Sequence, residues 1–238
     1  MSGWQLSWTS ERSIWVTIPG AMIHSRVSSQ LAAWISSKKS EAIRAAVPSS
    51  GGVLIEFYAQ RYAVEDPWST VVQMIESFEG ERGSSGSPDA SIAREIRIPV
   101  CYDEHLAPDM NQVAHRLNCY PEHIIELHSA VEYSVDSVGF MPGFGYLSAL
   151  HDLLRLPRKK TPRTQVPAGS VAIAESMTAV YPHQSAGGWH LIGRTPKQLF
   201  NPNHKEPAVL RVGDSVRFEQ ITLEEFNHYR DTQQWGDC

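Results

Sequence analysis

The stretch "VGFMPGFGYLSAL", Val138 to Leu150, sets Gly139, Gly143 and Gly145, Pro142, and the aromatics Phe140, Phe144 and Tyr146 within thirteen residues. Glycine admits positive φ and close backbone approach, and proline fixes φ and removes a donor. The spacing therefore describes a loop with a prescribed path and three rings to bury or stack. Neither familiar phosphate loop fits it. No Gly-Lys-Ser/Thr triplet follows the glycines, and Ser148 stands where a dinucleotide fingerprint needs its third glycine.

Around this loop the chain from Val131 onward breaks into short apolar runs, 132–138, 169–174, 189–193, 208–212 and 215–218, divided by Pro and Gly turns with no helix-length period. Many short strands punctuated in this way predict a barrel or sandwich. Just upstream, "EIRIPVCY" alternates Ile96, Ile98 and Val100 as a strand, with Pro99 marking an edge or a bulge. Two short helices follow it. Asp109 is placed to cap the first, which carries Met110, Val113, Ala114 and Leu117, and Pro121 starts the second, with Ile124, Leu127 and His128 on one face.

The clearest boundary is "GERGSSGSPDAS", Gly80 to Ser91, where eight of twelve residues are Gly, Ser or Pro, the composition of a flexible linker. It divides the chain into an N-terminal domain, residues 1–80, a linker, 81–94, and a C-terminal domain, 95–238. In the first domain, residues 13–18 and 53–58 read as strands. Leu31, Trp34, Ile35, Ala42, Ile43 and Ala46 form a helical face that stops before Pro48. Asp66 and Pro67 are an N-cap and N1 pair for a second helix with Trp68, Val71, Val72, Ile75 and Phe78 at helical spacing. The fold class is α+β, a small α/β sandwich-like domain followed by a β-barrel domain.

A chain of 238 residues can bury two modest cores, and its 42% hydrophobic and 20% charged residues are those of an ordinary globular protein. No apolar run reaches membrane-helix length, and the first residues lack a basic segment followed by an apolar one, so a soluble, cytoplasmic protein is expected. Cys101, Cys119 and Cys238 form neither an even disulfide set nor a CxxC pair, as expected of free thiols in a reducing compartment. A formal charge of −5 argues against nucleic acid as a partner.

The ten histidines include no HExxH and no His-x-His, and none lies in a close Cys/His pair, so no metal site is expected. Ser170 lacks the context of a nucleophile elbow. His128 shares its helical face with Ile124 and Leu127 and so points inward, where burial lowers its pKa. It reads either as a core histidine or as a base. "RLPRKKTPRT" gathers Arg155, Arg158, Lys159, Lys160 and Arg163 in one prolyl loop, a solvated patch or a seat for a carboxylate or phosphate. In "HQSAGGWHLIGRT", Gly187 and Gly188 form a hairpin turn or present amides to an anion, and Ser185, Trp189 and Arg194 cluster beside them.

"LHSAVEYSVDSVGFMPGFGYLSAL", "TPRTQVPAGSVAIA", "VYPHQSAGGWHLIGRTPKQLFNP" and "LRVGDSVRF" together resemble successive motifs of the family of 5-oxoprolinase B subunits, also called the Kip-type kinase inhibitor or allophanate hydrolase subunit 1 family. Their order and spacing match over most of residues 96 to 218. The resemblance implies that the barrel is cyclophilin-like and that the chain works with a second cyclophilin-like chain, the C subunit of 5-oxoprolinase, together with its lactam-utilisation A subunit. The implied reaction is ATP-dependent opening of 5-oxoproline to glutamate, with ATP held with or by a partner chain. By analogy Phe140, Pro142, Gly143, Phe144 and Tyr146 line a cleft near the subunit junction, beside Ser185, Gly187, Gly188 and Trp189. Arg163 or Arg194 would hold a carboxylate or phosphate, the Gly187 and Gly188 amides would stabilise developing charge, and His128 would orient or act as base.

The chain departs from the family pattern at Met177, where the family commonly has Gln, and at Ala179, where it has Gly. Gly145 replaces a proline. A thioether cannot replace an amide that both donates and accepts. Two other functions are open to members of this family: inhibition of a sensor histidine kinase by protein contact, and handling of a small amide in an allophanate- or urea-processing assembly.

Overall fold

The computed structural model describes residues 3–18, 24–49, 51–59, 66–84 and 94–232, which fall into two compact units, Met1–Ala93 and Arg94–Cys238. The first unit is an antiparallel sheet in the order β1-β2-β4-β3, made of β1 (Gln5–Ser10), β2 (Ser13–Thr17), β3 (Ile43–Ser49) and β4 (Gly52–Phe57). Helices α1 (His24–Ser37) and α2 (Pro67–Ser84) complete it. Ile14, Val16, Val53, Ile55 and Phe57 from the central strands meet Leu31, Ile35, Val71, Ile75 and Phe78 from the helices in one core. Asp66 caps α2 as expected, its carboxylate accepting from the N–H groups of Trp68 and Ser69 at 3.1 and 3.4 Å.

Two expectations for this unit fail. The helical face read through Ala46 ends at Ser37, after which Lys39 takes a left-handed φ of 49°, and residues 43–49 form the edge strand β3. It pairs with β4, as a partner strand that the sequence reading did not identify. Pro48 fits there because an edge strand leaves one side free of ladder bonds. The expected linker start is also wrong: α2 runs to Ser84, through residues assigned to the linker, and the remainder up to Ala93 lies outside the described residues.

The second unit is a closed barrel of β5 (Glu95–Cys101), β6 (Glu132–Val138), β7 (Gly145–Ser148), β9 (Ser170–Ala174), β10 (Met177–Val180), β12 (His190–Arg194) and β13 (Ser215–Ile221), in the circular order β10-β7-β6-β13-β5-β12-β9. A two-stranded sheet of β8 (Arg163–Val166) and β11 (Ser185–Gly187) stands apart from it. Helices α3 (Met110–Leu117) and α4 (Pro121–Ser129) follow β5, and α5 (Leu223–Thr232) follows β13. The α+β architecture with a C-terminal barrel is the one expected. Residues 208–212 are not a strand; they make one isolated bridge, Phe200 to Ala208. Helix α5 was not expected, although Thr222 and Glu225 form a reciprocal capping box, with bonds of 2.8 and 3.2 Å.

Alternation along the strands separates two apolar clusters. Ile96, Ile98, Tyr133, Val135, Leu147, Val171, Ile173, Val180, Ile192, Val216 and Phe218, contributed by all seven strands, fill the barrel. The residues between them on β9, β10 and β12, namely Ala172, Ala174, Ala179 and Leu191, belong to a second cluster on the outside of the wall. The lumen is therefore a solid core, and the outer wall is where loops gather.

Candidate functional site

Asp109 decides how the basic loop is held. It begins α3 but makes no side-chain cap; its carboxylate turns instead to the barrel seam. There β12 pairs with β5 only at Arg194 and Cys101, and Asp109 substitutes for the missing strand partner. Its N–H donates to Leu191 O at 3.0 Å, and its Oδ2 accepts from Leu191 N–H at 2.8 Å. Arg163 donates to both carboxylate oxygens at 2.7 Å, and Lys159 Nζ donates to Oδ1 at 2.7 Å. Burial raises the Asp109 pKa, but the bonds from Arg163, Lys159 and Leu191 outweigh it and hold the carboxyl below its ordinary value. Asp109 was expected only as a cap, because nothing local in the sequence pairs it with residues 50 and more positions away.

The glycine-aromatic loop and the Gly-Gly-Trp segment do meet. Phe144 packs edge-on to Tyr146, Tyr181 and Trp189, with centroids 4.9, 5.4 and 6.2 Å away, on a floor made flat by Ala172, Ala174 and Ala179. Gly187 pairs with Arg163 in the β8–β11 ladder. The Tyr181 hydroxyl accepts from Trp189 N–H and lies under Gly187, where a Cβ would collide with it; burial raises this phenol's pKa. Gly143 has φ +82°, and a Cβ there would sit 2.7 Å from Phe200 Cβ. Phe140 also lies in the left-handed region, at φ 67°, with its side chain 63% exposed. A bulky residue in that conformation is costly, of order 1–2 kcal/mol, and here it presents a ring to the outside. Pro142 is exposed beside it, and Ser185 is half-buried, its hydroxyl donating to Ala186 O at 3.1 Å.

Within the loop, Gly139 N–H donates to Phe144 O, Met141 N–H to Gly139 O and Phe144 N–H to Met141 O, at 3.2, 2.8 and 3.1 Å. These amides are satisfied internally and offer no phosphate cradle. Met177 packs against the outer cluster and Ala179 lies within it, so both departures from the family pattern are filled with apolar atoms.

Two expected site residues lie elsewhere. Arg194 is at the far end of β12 from Trp189, roughly 16 Å along the strand, and its Nε donates to Ala168 O at 2.8 Å. His128 is fully buried on the other side of the wall, stacked on Phe218 at 4.5 Å. Its Nδ1 meets Tyr102 Oη at 2.8 Å and its Nε2 meets Thr178 Oγ1 at 2.9 Å. Thr178 donates onward to Ala172 O at 3.1 Å, so the arrangement that satisfies every group has Tyr102 donating to Nδ1 and Nε2–H donating to Thr178. Burial lowers the His128 pKa to about 3. This is a neutral core histidine joining strands on opposite sides of the barrel, not a base facing the outer site.

Among the described residues no cluster of three or more His, Cys, Asp or Glu could hold a metal ion, and no helix is long and apolar enough to cross a membrane.

Residues 4–210 match the family described as Carboxyltransferase domain, subdomain C and D. The chain is 39% identical over 169 residues to the 5-oxoprolinase B subunit of Bacillus subtilis (strain 168), spanning 71% of this chain and 69% of that protein. It is 43% identical over 157 residues to the 5-oxoprolinase B subunit of Escherichia coli O157:H7, spanning 65% and 71%. The crystal structure of TTHA0988 superposes with a TM-score of 0.73 at 32% identity, covering 88% of this chain, which spans only 40% of the length of that one. On the extent of these matches, the chain belongs to the carboxyltransferase subdomain C and D family, among the B subunits of 5-oxoprolinase.

Proposed function

We propose that this chain is the B subunit of a heteromeric, ATP-dependent 5-oxoprolinase and works with a cyclophilin-like C subunit together with a lactam-utilisation A subunit. The observation that carries the reading is the outer-wall site. The family's glycine, proline and aromatic motifs, scattered between residues 138 and 189, converge on one face of the barrel and leave Phe140 exposed at its edge. Phe144, Tyr181 and Trp189 are themselves buried, so what this face offers is its edge, the half-buried Met141, Tyr146 and Met177 beside exposed Phe140. Apolar side chains there suit the ring of a small cyclic amide, and an exposed aromatic on a fixed loop suits a partner surface. The amides of Gly139, Met141 and Phe144 are committed to the glycine loop's own carbonyls, which supports placing the nucleotide with a partner chain.

In this reading the chain's own residues bind and orient. Phe144, Tyr146, Tyr181 and Trp189 form the wall, and Asp109 fixes Arg163 and Lys159 so that the basic loop stays folded over β11. The test is co-expression with the two partner chains from the same genome, following 5-oxoproline-dependent ATP hydrolysis together with glutamate formation. Turnover that requires all three chains supports the reading. An assembled complex that hydrolyses no ATP in response to 5-oxoproline sinks it.

A further inference from the structure

The loop that follows the short 3-10 turn Asp152–Leu154 carries five cations, and the structure divides them by what they touch. Arg155 pairs with Asp152 at 2.7 Å, and Lys159 and Arg163 share Asp109. Arg158 and Lys160 are exposed and make no ion pair among the described residues.

The backbone on both sides of Arg158 is pinned. His190 Nε2 donates to Pro157 O at 2.9 Å, Lys159 N–H donates to Gly188 O at 2.7 Å, and Glu175 N–H donates to Leu156 O at 2.7 Å. The N–H of Arg158 itself reaches Glu175 Oε1 at 3.4 Å. Residue 158 thus sits between the β9–β10 turn and the Gly187–Gly188 segment, beside the aromatic wall. Of the two unpaired cations, Arg158 is the one whose chain neighbours on both sides are held by these bonds. A guanidinium on a fixed backbone offers a planar fork to a carboxylate and loses little backbone freedom on binding.

We propose that Arg158, rather than Arg163 or Arg194, receives the carboxylate of a small cyclic amide bound against the outer wall. This rests on the reading of the site given above. Arg163 is unsuited because both of its terminal nitrogens are committed to Asp109, and Arg194 because it stands at the other end of β12.

The test compares wild type, Arg158→Ala, Arg158→Lys and Lys160→Ala in the assembled complex, measuring KM for 5-oxoproline and for ATP. Arg158→Ala should raise the KM for 5-oxoproline about tenfold, as expected for loss of one charge-assisted contact from an exposed guanidinium. Its KM for ATP and its thermal midpoint should stay those of wild type. Arg158→Lys should recover part of the loss, and Lys160→Ala should change little. A rise confined to ATP, or an unchanged KM for 5-oxoproline, overturns the inference. If wild type shows no lactam turnover, the enzyme reading has failed on its own. Calorimetric titration of the full chain with 5-oxoproline, its neutral carboxamide and inorganic phosphate then decides about Arg158. Binding of the acid that is lost in Arg158→Ala, with the carboxamide unaffected, upholds it. Equal binding by both chains, no binding of the acid by wild type, or a loss seen only with phosphate overturns it.

Discussion

Asp109 and Arg163, 54 residues apart, face each other through two hydrogen bonds of 2.7 Å, with the carboxylate almost fully withdrawn from solvent and Lys159 also on its Oδ1. Breaking a buried pair by removing one partner is far costlier than never having built it, because the other charge is left desolvated. Asp109→Asn should therefore destabilise the protein by about 3 kcal/mol. Arg163→Ala should cost less, about 1–2 kcal/mol, because Lys159 still answers the carboxylate. Urea denaturation of the two variants and their double mutant tests this, and a double mutant no more stable than the sum of the singles would remove the coupling.

His128 gives stability a defined pH dependence. The unfolded imidazole titrates near its ordinary value of 6.5, and burial brings the folded one to about 3. The neutral form is the one that folds, so its contribution is complete above pH 6.5. It is lost as pH falls toward 3, at about 1.4 kcal/mol per pH unit. His128→Phe should be less stable at neutral pH, because it leaves the Tyr102 hydroxyl without its partner and removes the bond that Thr178 accepts, leaving Thr178 only its bond to Ala172 O. It should also show a shallower fall between about pH 6 and 4. Denaturation midpoints across that range decide it, and parallel curves for the two proteins would rule the histidine out as their source.

Gly187 is required by the Tyr181 hydroxyl beneath it. Gly187→Ala should shift β11 or the Tyr181 ring, break the bond from Trp189 N–H and cost about 1–3 kcal/mol. Adding Tyr181→Phe should recover only part of this, because the ring carbons Cζ and Cε1 would also be within 3.0 Å of the new methyl. Thermal midpoints of the single and double variants check the order.

Phe140 should matter to assembly more than to folding. Its ring is mostly exposed, so Phe140→Ala should change stability by less than about 1 kcal/mol. As a fixed aromatic at the edge of the site, its loss should weaken association with a partner chain about tenfold or more. Affinity for the co-purified partner, measured for wild type and variant, is the readout; equal affinities would take the loop out of the interface.

Much of the second unit was legible because its signals are local. Period-two alternation marks β5 and β6, and Pro121 marks the start of α4. The inward face that carries His128 follows from its spacing with Ile124. The N-terminal unit was harder. Ala42, Ile43 and Ala46 continue a helical spacing by coincidence, while the chain reverses at Lys39 and uses Ile43 and Ala46 in an edge strand that pairs with β4.

By itself the sequence determined which residues are loop, which are apolar, and which family the motifs resemble, because glycine and proline conformations and side-chain periodicity are properties of neighbouring residues. The tertiary structure alone decided what the charged and aromatic groups do. Closing the barrel put His128 inside the wall and Phe144 outside it, and opened a seam between β5 and β12 that Asp109 fills. That one carboxylate takes Arg163 and Lys159 out of the binding inventory and leaves Arg158 facing solvent. Pairings over 50 or more residues depend on where the strands close in space, and no local pattern encodes that.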